Sequence, residues 1–331
     1  MNQKGILYLS NGDVKKILDL GRAIEITEQA LRDHGERRVL WSNPEDLAIK
    51  PQRGWQYWVT ACALESSPVA GFRLRAIKPE GGSRDASRPP RGPRRILILS
   101  DREGGEILAI MDEDWCHAVR TGAAATVACR LLARKGASTL AMLGAGDTAR
   151  ATLPVMARAF KLKEVRVTSR SPESRLAYAR ELGENLGLSI IAADSAQEAL
   201  MGADMVISAT TTSQPFVRDA WLEPGVFVYS IGKHQEMDDA VYKEVDKFVV
   251  DSWEHCKKKS DIDRMLRQGL LTRDDVYAEL PEIVAGNKAG RASDSERIFM
   301  RAIGLVNQDI AIADWVYRRA LEAGVGTVLP F

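Results

Sequence analysis

The stretch from Ser138 to Ala149 constrains the fold of this chain more than any other. A short apolar run, Leu140 to Leu143, feeds Gly144-Ala-Gly146-Asp-Thr-Ala149, and an amphipathic segment follows from Arg150 to Phe160. Strand, glycine turn and helix start, in that order, are what a dinucleotide site requires. The first glycine permits the tight turn and the second lets the backbone approach a pyrophosphate. A small third residue lets the helix close on the strand, with its N-terminal N–H groups aimed at the anion. The pattern predicts a Rossmann site with Gly144, Gly146, Asp147 and Thr148 at the cofactor.

The next expected strand, Glu164 to Thr168, ends in Ser169, Arg170 and Ser171. An enzyme that grips the adenosine ribose of NAD usually places Asp or Glu at this strand end. A guanidinium with two hydroxyls suits a 2′-phosphate instead, and no carboxylate stands there to repel it. NADP(H) is therefore the expected cofactor, with NAD(H) as the alternative. A solvated strand end accounts for the same three residues.

A length of 331 residues suggests about two domains. The formal net charge of +1 gives no reason to expect a nucleic-acid or membrane partner. Cys62, Cys116, Cys129 and Cys256 lack metal-type spacing, so no metal site is expected and the thiols read as reduced and buried. No apolar signal core or membrane-length run is visible, which makes the cytoplasm the expected location.

Along the chain, Ser10 to Asp13 resembles a helix entrance, and Val14 to His34 carries helical apolar spacing. From Arg38 to Ile98 the pattern turns strand-like, with Trp41, Trp55, Tyr57 and Trp58 suiting either an aromatic pocket or core and dimer contacts. A Pro/Gly-rich insertion with four Arg spans residues 80–94, a lid over a phosphate or a surface loop. A hairpin turn at Asp101 to Gly105 joins two strands, and a helix is expected from Thr121 to Ala133. Beyond the second nucleotide strand, segments at Leu188–Ala192, Asp204–Ala209, Gly225–Ile231 and Lys247–Asp251 continue the alternation of a doubly wound parallel sheet. A final helix, Ala302 to Ala323 with Gly324 as cap, would return to the N-terminal half. The expected fold class is α/β: a Rossmann NAD(P)-binding domain over 121–304. A discontinuous α+β substrate-binding and dimerisation domain would comprise 1–120 with 305–331.

Four blocks carry a family resemblance. They are Leu97 to Asp112 running on to Ala118-Val-Arg-Thr-Gly-Ala-Ala124, Gly144-Ala-Gly146, Ala203 to Thr211, and Gly286 to Arg291 through Glu296, Phe299, Gly304, Asp309 and Ala313. With these, the chain resembles the ornithine cyclodeaminase/mu-crystallin family of NAD(P)-dependent proteins. The resemblance implies a substrate carboxylate held by Arg120, the arginine of the Arg-Thr-Gly-Ala-Ala block. The family commonly has a lysine where Gly71-Phe-Arg73 stands here, so Arg73 implies an orienting role in place of proton transfer. A second carboxylate-binding arginine is usual where this chain has Glu45 and Asp46, which suit a cationic substrate group or a loop surface. Cyclodeaminases carry an aspartate where Lys233 and His234 stand, which argues against ring-closing deamination. His234 is the side chain suited to move a proton near neutral pH, and Lys233 a second candidate. Thr210, Thr211 and Thr212, at the mouth of the fourth sheet strand, are expected on the nicotinamide side, although a Thr run is also ordinary strand chemistry, and Thr121, Ala209, Ser230 and Gly232 are expected beside the cofactor.

The implied activity is NADP(H)-dependent reduction of an imine or 2-imino acid to an amine, or the reverse oxidative deamination. The substrate would be a small carboxylate-bearing imine or amine, and the protein a homodimer. Two alternatives remain: a cyclodeaminase with catalytic NAD, and a non-catalytic NADPH-dependent binding protein like the crystallin.

Overall fold

The computed structural model describes residues 5–51, 55–77, 95–212, 214–232, 234–258 and 260–330. The insertion at 80–94, Lys233 and the side chains of Glu45 and Asp46 lie outside this description. The chain divides into two compact units, Met1–Arg120 with Leu305–Phe331, and Thr121–Gly304.

The first unit opens with β1 (Ile6–Leu9), α1 (Asn11–Ile17) and α2 (Leu20–Gly35). It continues with β2 (Val39–Ile49), β3 (Gln56–Leu64), β4 (Val69–Ile77), β5 (Arg95–Asp101) and β6 (Ile107–Asp112). The unit boundary falls inside α3 (Asp114–Leu132). The second unit follows with β7 (Thr139–Leu143), α4 (Asp147–Ala159), β8 (Glu164–Thr168), α5 (Pro172–Leu186), β9 (Ile190–Ala192), α6 (Ala196–Leu200) and β10 (Met205–Ser208). Its remainder is β11 (Phe227–Ser230), α7 (Val241–Glu244), β12 (Lys247–Val250), α8 (Trp253–Cys256), α9 (Ser260–Arg267), β13 (Val276–Glu279), α10 (Leu280–Val284) and β14 (Ile298–Arg301). α11 (Val306–Ala323) and β15 (Thr327–Leu329) return to the first unit.

Among the described residues the first unit's sheet runs β15-β1-β6-β5-β4-β3-β2, antiparallel except for the β1–β6 pair. Along β4, Val69, Gly71 and Arg73 are buried while Phe72 and Leu74 are exposed, the period of two that separates the faces of a sheet. α11 lies on the inner face, where an added Cβ on Gly71 would meet Ile310 Cγ1 at 2.4 Å. Glycine here is a packing requirement, since it lets the helix axis close on the strand. Ile310, Ile312, Ala313 and Val316 are buried, and each large aliphatic contributes about 1.5–3 kcal/mol.

The second unit's sheet runs β13-β12-β14-β11-β10-β7-β8-β9, every pair parallel. This is the doubly wound Rossmann arrangement. One face buries Val206, Val228, Val250, Tyr242 and Phe299 in a continuous core. α3 crosses α4 at Gly122, where a Cβ would stand 2.8 Å from Thr152 Cα.

Three expectations need correction. The helix expected at Thr121 begins at Asp114, because Cys116, Val119 and Arg120 continue the buried helical face. The helix expected over Val14–His34 is two, since Asp19 caps the start of α2 through Arg22 N. The final helix starts at Val306 and not Ala302. Residues 302–305 instead lead out of β14 (Ile298–Arg301), a strand between β11 and β12, and Gly304 turns the chain at φ +75°.

Candidate active site

Glu113 immediately precedes α3, and His117 and Arg120 follow it at helical spacing, so the three side chains share one face. Arg73 comes to them from β4 and Asp309 from the first turn of α11. All five belong to the first unit. Arg73 pairs with Glu113 through Nε and reaches Asp309 Oδ2 at 3.4 Å through Nη1. Arg120 Nε donates to Asp309 Oδ1 at 2.8 Å. His117 Nδ1 lies 2.9 Å from Arg73 Nη2, 2.8 Å from Arg120 Nη2 and 3.1 Å from Asp309 Oδ1. Guanidinium nitrogens only donate and a carboxylate only accepts, so the two arginines call for the Nδ1 lone pair while Asp309 calls for a proton on the same atom.

Burial sets the charge states. Burial, then Arg120 and Arg73, hold His117 well below its ordinary value. Burial pushes Asp309 up, yet Arg120, Arg73 and the His117 contact outweigh it and keep the carboxylate ionised. At Glu113 burial wins. Opposed by Arg73 and assisted by the charge of Asp309, it raises the carboxyl to about 7. The cluster thus holds two fixed cations, one fixed anion and one acid poised near neutrality. Arg120 is 2% exposed, and its Nη1 is buried with no hydrogen-bond partner.

Glu113, His117 and Asp309 also offer donor atoms close enough to hold a metal ion. Both carboxylates are already paired with guanidiniums, which occupy the cationic role there.

In the second unit Gly144 sits at φ +112°, and a Cβ there would stand 2.6 Å from Ala209 O. Only glycine lets β7 turn this close to the end of β10. Gly146 caps α4 without a side-chain hydrogen bond and has nothing within 4 Å of a Cβ position. A bare helix N-terminus with open space above it fits a pyrophosphate. Asp147 is exposed and Thr148 half-buried in the first turn, while Thr121 is buried in α3.

Ser169 donates to Ser171 O, and Ser171 caps α5 while donating to Glu173. Arg170 is exposed at the strand end, and Arg175 Nη1 donates to Ser169 O at 3.1 Å.

Glu236, 1% exposed, ties the ends of β10 and β11 together. Its Oε1 accepts from Thr210 N at 2.8 Å and Thr210 Oγ1 at 2.6 Å. Its Oε2 accepts from Ser230 Oγ at 2.7 Å and Gly232 N at 3.1 Å. The hydroxyls of Thr210 and Ser230 are therefore engaged internally, leaving exposed Thr211 at that edge with Ala209 and Thr212 half-buried. Arg301, paired with Asp261, steadies the same loop through Gly232 O at 2.9 Å. His234 is half-buried in the loop after β11.

A sequence model of the ornithine cyclodeaminase/mu-crystallin family matches residues 14–324. The chain belongs to this family. Among its relatives is the Delta(1)-pyrroline-2-carboxylate reductase of Bacillus cereus, 28% identical over 98% of this chain and 100% of that one. The Thermococcus litoralis Delta(1)-pyrroline-2-carboxylate reductase, solved with NADH and L-proline, superposes with a TM-score of 0.89 at 29% identity. That match covers 98% of this chain and 100% of the other. An archaeal alanine dehydrogenase dimer with bound NAD gives a TM-score of 0.88 at 27% identity, covering 98% and 99%.

For a member of the ornithine cyclodeaminase/mu-crystallin family, the cluster gathers two residues expected from sequence, Arg73 and Arg120, with three given no role there. Asp309 stood only within a resemblance block. Glu113 and His117 had a usable signal: their spacing from Arg120 becomes a single face once α3 is known to start at Asp114.

Proposed function

We propose that this family member is an NADP(H)-dependent oxidoreductase that reduces a carboxylate-bearing imine to an amine, or runs the reverse oxidative deamination. The observation that carries the reading is Arg120 Nη1, a buried guanidinium nitrogen without an acceptor. A buried donor left unpaired costs about 1–3 kcal/mol, which a substrate carboxylate recovers on binding. Arg73 supports the same anion from β4, and Asp309 fixes both guanidiniums in place. The cofactor, when bound along Gly144, Gly146, Thr148 and Thr211, supplies the hydride. Arg170, exposed at the end of β8, favours its 2′-phosphate; the hydroxyls of Ser169 and Ser171 are already given to Ser171 O and to the Glu173 carboxylate, which corrects the expectation that no carboxylate stands there.

Reduction of a C=N bond also needs a proton at nitrogen. Glu113 is assigned that proton, because burial raises its carboxyl to about 7 and it lies in the carboxylate-binding cluster. His234 is the second candidate, and Lys233 stands beside it in sequence. Residues 1–120 with 305–331 would bind substrate and 121–304 the dinucleotide. Leu40, Leu47, Ile49, Tyr57, Phe72 and Leu74 expose apolar surface on β2, β3 and β4, which suits a homodimer. No helix among the described residues is long and apolar enough to cross a membrane.

The test is Arg120→Ala, assayed by oxidation of NADPH with Delta(1)-pyrroline-2-carboxylate and with pyruvate plus ammonium. Turnover should fall at least about 100-fold while NADPH affinity stays within about twofold. Loss of NADPH affinity alone would overturn the assignment. With a diamino acid such as ornithine in place of these substrates, ammonia release without net change in the dinucleotide would favour the cyclodeaminase.

A further inference from the structure

On β4 the alternation that turns Arg73 inward also turns Arg75 inward, its Cα about 7 Å further along the strand. The two arginines are in different situations. Arg73 pairs with Glu113 and Asp309, whereas Arg75 has no carboxylate at ion-pair distance among the described residues. Its Nε is buried with no acceptor, and its guanidinium carbon stands over the Trp58 ring, 5.9 Å from the centroid. Burial and the neighbouring Arg73 pull this guanidinium down to about 10.

The strand beside it repeats the pattern. Trp58 pairs in register with Arg75, and Thr60 with Arg73. Trp58 Nε1 and Thr60 Oγ1 are both buried without a partner. Cross-strand neighbours on one face lie about 5 Å apart at Cβ. Arg75 and Trp58 offer N–H groups that can only donate, and the Thr60 hydroxyl can donate as well. Donors gathered without an acceptor are what an absent anion leaves behind.

The charges agree. Arg95, in register with Arg75 on β5, is paired with Asp114 at 4.0 Å, which leaves Arg73, Arg75 and Arg120 opposing Glu113 and Asp309, with His117 neutral. A single substrate carboxylate balances the set only when Glu113 is ionised. When Glu113 carries its proton, as it must to donate it, a second negative charge is needed.

Building on the oxidoreductase reading above, we propose that Arg75, with Trp58 and Thr60, binds a second acidic group on the substrate. The substrate is then a dicarboxylic 2-imino acid, reduced to the corresponding amino dicarboxylate. One carboxylate lies on Arg120 and Arg73, and the distal one on Arg75. The reacting carbon between them takes the hydride and its nitrogen takes the proton, so C=N becomes C–N as the reduced nicotinamide is oxidised.

The experiment compares kcat/KM for oxaloacetate, 2-oxoglutarate and pyruvate, each in ammonium buffer with NADPH. It uses wild type, Arg75→Met and Arg75→Lys. Met keeps the aliphatic stem against Trp58 and removes the charge, while Lys restores charge without the planar fork. Wild type should prefer one of the diacids over pyruvate by about 100-fold, the value of a buried arginine–carboxylate contact. That ratio should collapse at least tenfold in Arg75→Met and partly recover in Arg75→Lys. Pyruvate favoured in wild type, or a diacid preference untouched by Arg75→Met, overturns the proposal.

Binding of non-reacting succinate and propionate, read by tryptophan fluorescence, separates this proposal from the reading beneath it. Arg75-dependent succinate binding with no turnover of any keto acid leaves the diacid site standing and removes the oxidoreductase. Turnover with no discrimination at Arg75 does the reverse. Absence of both Arg75-dependent binding and turnover overturns both.

Discussion

Replacing Glu113 by Gln removes one proton site and little volume, so its effects isolate the ionisation of a single carboxyl. Burial lifts that carboxyl from 4.5 to about 7 against the pull of Arg73, with the Asp309 charge pushing the same way. His117 and Asp309 stay neutral and ionised respectively through this range. In the reductive direction the protonated acid is the competent form. kcat/KM should be level below pH 7 and fall tenfold per unit above it. Glu113→Gln should erase that limb and lower kcat by about 100-fold or more.

Stability carries the same signature. The folded state holds this proton between pH 4.5 and 7 and the unfolded state does not, so stability falls as pH rises across that window. At 1.4 kcal/mol per unit the total is about 3 kcal/mol. Urea melts at pH 5 and pH 8 should show that loss in wild type, beyond what Glu113→Gln shows. A limb near pH 7 that survives in Glu113→Gln and vanishes in His234→Asn would refute the assignment and give the proton to His234.

Two further outcomes follow from the second unit. Arg170→Ala should weaken NADPH binding by about 10–100-fold while NADH moves less than about twofold, the value of one charge-assisted contact to the 2′-phosphate. Equal affinities in wild type would make the arginine a bystander. Glu236→Gln puts an amide N–H against donors from Thr210, Ser230 and Gly232. It should cost about 1–3 kcal/mol of stability and raise the KM for NADPH more than it lowers kcat, and an unchanged KM would separate Glu236 from the cofactor edge.

The second unit was readable because its signals are local. Gly144, Gly146 and the small Ala149 specify a turn whose geometry admits little else, and the apolar runs at β7, β10, β11 and β12 are short and buried throughout. β14 escaped notice because Ile298–Arg301 contains Arg301, a charge that reads as surface. In the fold that charge is neutralised by Asp261, more than thirty residues away in sequence. The cluster around Arg120 was half legible for a related reason. Arg73 and Arg120 belong to recognisable blocks, but what surrounds them depends on α3 beginning seven residues earlier and on α11 delivering Asp309 from the far end of the chain. Arg75 carried no signal, since one more arginine in a strand looks solvated until its neighbours Trp58 and Thr60 are seen to lack acceptors.

An arginine at position 73 also changes how the site divides its work. A lysine there can both grip an anion and exchange a proton, whereas a guanidinium keeps its charge at every working pH. Arg73 therefore cannot be the acid, and its fork instead joins Glu113 to Asp309. That linkage has a consequence for the bound state. A substrate carboxylate on Arg120 and Arg73 brings a negative charge towards Glu113 and draws Arg73 away from it, and both effects favour the neutral carboxyl. The pKa read from kcat, which reports the complex, should then lie above the one read from kcat/KM, which reports the free enzyme. A substrate that also engages Arg75 adds a second negative charge and widens that gap. Equal pKa values in the two profiles would mean that the carboxylate binds too far from Glu113 for that residue to serve as its acid.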